Sequence, residues 1–135
     1  MPQIVVVNET TGMQELVKGN AGGANIRNTP VGTQLTGITS AAPGVLYGIS
    51  VNASIRLYPT VAGVAAVYSS GSPVANIALD VLAGNAAILA NTNARWSSWG
   101  AGAVSVDTVQ QALSPQSAIA VVVTSGTWVV EVCQP

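Results

Sequence analysis

Histidine and phenylalanine are absent, cysteine occurs once, and charge is scarce: four basic and five acidic residues in a chain of 135. Each shortage closes off a class of function. Without histidine there is no His-based triad and no Cys–His nucleophile. The commonest general base at neutral pH and most zinc sites go with it. A single cysteine, Cys133, excludes an intrachain disulfide, and its place near the end of an apolar run reads as a small packing residue. Four scattered cations (Lys18, Arg27, Arg56 and Arg95) cannot form the cluster that displaces counterions from phosphates. Nucleic acid and anionic membrane surfaces are therefore not expected as partners.

Long apolar runs are missing too. The most apolar stretch, residues 74–90, is broken by Asn76, Asp80, Gly84 and Asn85, well short of the roughly 18 clean apolar residues of a membrane helix. The opening Met1-Pro2-Gln3 has no basic residue ahead of Ile4-Val5-Val6-Val7, and that run is short for the core of an export signal. Synthesis in the cytoplasm is the expectation.

The carboxylates offer little chemistry. Asp80, Asp107 and Glu131 fall in the β-rich region, where the fold could draw them together, as glycoside hydrolysis requires at about 5–9.5 Å. Nothing around them resembles a tuned pair, and solvated or turn-capping roles are expected. No dense Asp/Asn/Glu loop suits calcium. The glycines 19, 22 and 23 precede no Gly-Lys-Ser/Thr, so they form no phosphate loop. The chain is expected to have no catalytic residues, no cofactor and no metal.

What is present is apolar and β-prone. Charged residues make up 7% of the chain, against about 25% in a typical domain, while hydrophobic residues make up 49%. Disordered chains show the reverse balance. A monomer with so little charge is poorly protected from self-association, so part of its surface is expected to be covered in the working state.

Residues 1–32 read as an extended N-terminal arm: a β-prone run at Ile4–Val7, one helical turn within 11–18, then glycine-rich and X-Pro sequence. Residues 33–135 read as the folded domain. Short strands are expected within 45–58, 64–68, 74–82, 86–90, 95–99 and 104–109, separated by Gly, Pro and Ser turns. Alanine and leucine leave a short helix possible in 74–90. Residues 118–124 and 127–132 flank Ser125-Gly126 with the spacing of a two-residue β-hairpin. Ile119, Val121 and Val123 share one face of the first arm, and Trp128, Val130 and Val132 one face of the second. Both arms are apolar on both faces, so this element should be central or covered. The class expected is all-β: an antiparallel β-sandwich, jelly-roll-like.

Two aromatic residues stand out. In Arg95-Trp96-Ser97-Ser98-Trp99-Gly100, strand alternation sends Trp96 and Trp99 to opposite faces, one inward and one outward. An outward ring is either an interface anchor or a platform for a sugar ring.

Three stretches carry a resemblance. They are Trp96-Ser97-Ser98-Trp99-Gly100-Ala101-Gly102-Ala103-Val104, then Leu113-Ser114-Pro115-Gln116-Ser117-Ala118-Ile119, then Val123-Thr124-Ser125-Gly126-Thr127-Trp128-Val129-Val130-Glu131-Val132. Over residues 40–134 the chain resembles, in style rather than by a diagnostic motif, head decoration (cement) proteins and related virion proteins of tailed bacteriophages. The resemblance implies a non-enzymatic protein on the capsid surface of the virion. It would bind the major capsid protein and other copies of itself, as homodimer or homotrimer, and bridge capsid subunits. The candidate interface comprises Ile4, Val5, Val6, Val7, Trp96 and Trp99. The alternative function is a receptor- or carbohydrate-binding fibre or tail module.

Overall fold

The computed structural model describes residues 31–135 together with two short strands, β1 (Val5–Asn8) and β2 (Met13–Leu16). β1 and β2 pair antiparallel, Val5 opposite Leu16 and Asn8 opposite Met13. The helical turn expected within 11–18 is thus replaced at 13–16 by strand.

The rest is antiparallel β-sheet with a helical layer, and the all-β class holds. Its strands are β3 (Val31–Ile38), β4 (Gly44–Ile49), β5 (Ser54–Ser70), β6 (Ser97–Val104), β7 (Thr108–Gln111) and β8 (Gln116–Gln134). They form one hydrogen-bonded sheet in the order β3-β8-β5-β6, with β4 also on β8 and β7 also on β5. A single sheet lends the jelly-roll detail no support. β3 begins two residues before the expected boundary, with Val31 opposite Gln134 and Gly32 opposite Cys133.

β5 and β8 are the spine. They pair along their full lengths, from Ser54 opposite Cys133 to Ser70 opposite Ala118. The hairpin expected at Ser125-Gly126 does not exist, because β8 runs straight through it. Pro59 likewise does not end a strand; β5 continues past it.

The physical reason is a set of bulges. The β5–β8 register shifts between Pro59 and Val61, between Val61 and Val64, and between Val64 and Ala65. The first two place an additional residue in β5 and the third places one in β8. Each bulge reverses the in–out alternation of its strand. Two reversals cancel in β5, so Ile55, Leu57, Ala65 and Val67 all face inward. One reversal remains in β8, so the inward set changes from Ile119, Val121 and Val123 to Trp128, Val130 and Val132. These residues from both halves of the bent sheet meet in one core cluster, closed by Ile38, Ile49, Ala53 and Ala112.

Glycine is required at the bend. Gly126 has φ +82°, and a Cβ there would collide with the Val61 carbonyl; a Cβ on Gly63 would collide with the Ser125 carbonyl. Two backbones approach too closely for any side chain.

The other face of β8 is covered by helices, not strands. α1 (Val74–Ala83) and α2 (Asn85–Ala90) are joined at Gly84, φ 98°, and α2 ends on Asn91 in the left-handed conformation. The strands expected within 74–82 and 86–90 are overturned. Ile77 and Ile88, with Ala94 and Trp96, pack on Ala118, Ala120 and Val122 in a second core cluster. Residues 118–123 are therefore buried on both faces and lie centrally, as their two-faced apolar pattern requires.

Candidate functional site

The helical layer is held by one carboxylate. Asp80 is fully buried on α1 and accepts from four donors in the segment that follows α2, one of them shared between its two oxygens. Asn93 donates its backbone N–H at 3.0 Å and its Nδ2 at 2.8 Å. The Ala94 N–H and the Trp96 Nε1 each donate at 2.9 Å. Burial pushes the Asp80 pKa up, but the Asn93 and Trp96 side chains and the Ala94 and Asn93 amides outweigh it, and the pKa lies below the ordinary carboxylate value. Asn91 Oδ1 accepts the Trp96 N–H, and Ser72 Oγ accepts the Arg95 N–H at 3.0 Å. Asp80 and its donors form a structural clasp with all its bonds made.

The other two carboxylates lie elsewhere, on the outer side of the opposite half-sheet. Asp107 accepts from Arg56 Nε at 3.0 Å, and this pairing holds its carboxyl below the usual range. Arg56 lies over the Tyr58 ring at 5.3 Å. Glu131 accepts from Gln34 Nε2 at 2.6 Å and from Tyr58 Oη at 3.3 Å. Burial and the Glu131 carboxylate raise the Tyr58 pKa. This is a solvated polar strip across β3, β8 and β5, in which every charge has a partner. Among the described residues no three Cys, Asp or Glu side chains gather as metal ligands, and no helix is long and apolar enough to cross a membrane. Cys133, expected to pack inside, is exposed, because the reversal in β8 turns odd positions outward.

The candidate interface residues are placed unequally. Ile4 lies outside the described residues, and Val5, Val6 and Val7 belong to β1. Trp96 and Trp99 do point to opposite faces, but neither stands free. Trp96 is 5% exposed, because the face it occupies is covered by α1 and α2. It is a core residue and cannot serve as a surface anchor. Trp99, on β6, is half-buried against the main core, and the rest of it lines a groove of about 490 Å³ between β6 and the β7–β8 connection. Gln110, Gln111, Leu113 and Gln116 line the same groove.

The largest feature missed in the sequence is the outward face of α1 and α2. Val74, Ala75, Ala78, Leu79, Leu82 and Ala83 on α1 are exposed, as are Ala86, Leu89 and Ala90 on α2. Leu82 is 87% exposed. The spacing 75, 79, 83 and 74, 78, 82 is helical, and would have revealed the face had the segment been read at that period. No charged residue occurs on it. α1 is thus inverted, with its carboxylate inside and its leucines outside.

Comparisons with protein-family models, with curated proteins and with solved structures find no match to this chain.

Proposed function

We propose that this chain is a non-enzymatic virion structural protein of the head-decoration type. In this reading it binds the outside of a tailed-phage capsid, contacts the major capsid protein and other copies of itself, and stabilises the shell by bridging subunits. The observation that carries the reading is the uncharged apolar face of α1 and α2. Soluble monomers rarely expose contiguous apolar patches beyond a few hundred Å², and a helix that packs Ile77 inward yet turns Leu79 and Leu82 outward offers a further apolar face to be covered. That face suits permanent contact in an assembly, whose interfaces resemble a protein core cut in half. The resemblance of residues 96–104, 113–119 and 123–132 to phage head proteins points the same way.

The work done would be binding alone. A ligand with affinity for the assembled shell and none for its dissociated subunits stabilises the shell by mass action. The test is co-sedimentation of the purified chain with tailed-phage capsids stripped of decoration, followed by heating. Saturable pelleting, with a rise in the temperature of shell disruption, is expected. A chain that stays in the supernatant at every capsid concentration ends the reading.

A further inference from the structure

The groove beside Trp99 is a second surface, remote in character from the helical face. Its lining includes the half-buried Trp99, the buried Ser69, the amides Gln110, Gln111 and Gln116, and Leu113 at its rim, 87% exposed. No lining residue carries a charge. At about 490 Å³ it falls in the size range of small-molecule sites.

The hydrogen-bonding inventory of its walls is incomplete in a specific way. Trp96 and Trp128 each place their indole N–H on a protein acceptor, at 2.9 Å on Asp80 and 3.0 Å on the Ser125 carbonyl. Trp99, the indole in the groove, has no acceptor among the described residues. Gln110 uses its Oε1 to accept the Ala101 N–H at 3.3 Å, leaving its NH₂ unpartnered. Gln116 donates Nε2 to Ser114 Oγ at 2.9 Å, leaving its carbonyl oxygen unpartnered. Gln111, next along β7 and opposite Ser54, turns with Val109 and Arg56 to the outer face of the sheet. The walls thus offer the Gln110 NH₂ and the Gln116 carbonyl oxygen beside an aromatic ring.

We propose that this groove is a binding site for a neutral carbohydrate. The apolar C–H face of a pyranose ring lies well on the negative face of an indole. Its hydroxyls both donate and accept, which matches adjacent amide NH₂ and C=O groups. The absence of charge disfavours phosphate, sulfate and sialic acid, since a buried or half-buried anion needs a cationic partner. A peptide main chain would pair with these amides too, so the choice of a carbohydrate rests on the indole and the lack of charge, and a protein occupant is an outcome of the test. The site does not depend on capsid attachment, and the helical face lies on a different element.

The experiment uses the full chain on a printed array of neutral and sialylated oligosaccharides, followed by NMR of the three indole N–H signals with whichever neutral glycan is retained. Retention of neutral glycans is expected, with the Trp99 indole signal shifting while those of Trp96 and Trp128 stay fixed. Trp99→Ala should lower retention at least tenfold and Trp99→Phe less. Gln110→Ala, on the inward face of β7 with Trp99, should lower it several-fold with little change in thermal unfolding. Capsid pelleting by Gln110→Ala should match that of the unaltered chain, which separates failure of this site from failure of the decoration reading. No retained neutral glycan, retention of sialylated glycans only, or retention unaffected by both Trp99→Ala and Gln110→Ala overturns the proposal. A Trp99 shift produced by capsids but by no glycan also overturns it, because the groove would then hold protein.

Discussion

Asp80 shows how much one side chain can organise when charge is scarce. Hydrogen bonds from four donors fasten residues 93–96 to α1 and fix the Trp96 ring between the helices and β8. A buried carboxylate without a cation is stable only because donors surround it. Asp80→Asn turns one acceptor into a donor facing donors, and is expected to cost about 2–4 kcal/mol. Urea unfolding of the two chains at neutral pH checks it; equal midpoints would refute it. The same group gives a pH signature. Its folded-state pKa lies below the ordinary carboxylate value, so its contribution is complete above the unfolded value of about 3.9. That contribution is lost as pH falls below this value and through the folded one. Stability should therefore fall in acid, and more steeply in the unaltered chain than in Asp80→Asn. Asp107 shifts in the same direction, but it is solvated and weakens the trend little.

At the scale of elements, the molecule depends on two long strands that reverse their faces at a shared bend. Gly126→Ala must accept both a positive φ and a collision with the Val61 carbonyl. A loss of at least about 2 kcal/mol is expected, and chemical denaturation measures it. A loss below about 0.5 kcal/mol would mean the bend tolerates a side chain. This bend also explains what the sequence conceals. Apolar residues on both faces of 118–132 correctly mark that run as central. The change of inward positions from odd to even at Ser125-Gly126 has two causes that look alike in sequence: a turn into a second strand, or a bulge within one. Only β5, with its two compensating bulges, decides between them, and that partner is about 60 residues away. α1 was obscured differently. Ile77 and Leu79 suggest alternation with Asp80 outward, whereas burial of Asp80 and exposure of Leu79 reverse the usual polarity. Trp96 and Trp99 do take opposite faces, as their spacing requires, but the helical layer that hides Trp96 is invisible in local pattern. The groove glutamines, drawn from 110–116, carry no motif and become a group only through folding.

For the whole molecule, the question is what covers the outward face of α1 and α2. Within residues 31–135, Arg56, Asp107 and Glu131 belong to the polar strip, Asp80 is buried and Arg95 is exposed, and none of them lies on that face. A face without charge can meet copies of itself about a two-fold or a three-fold axis, because no residue is brought against a like charge. Association there should be apolar in origin, and so insensitive to screening. Light scattering after size exclusion is expected to show a dimer or trimer at micromolar concentration, at both low salt and 1 M salt. Leu79→Glu combined with Leu82→Glu places carboxylates on an exposed surface, where the folded monomer should change by no more than about 0.5 kcal/mol per site. The double variant should run as a monomer with an unaltered thermal transition. Dissociation of the unaltered chain by salt would instead point to the Arg56–Asp107–Glu131 strip as the contact. A monomer under all conditions would mean that the helical face waits for a different partner, and capsid pelleting by the double variant would then decide: loss of binding assigns that face to the shell, and full binding removes it from the interface altogether.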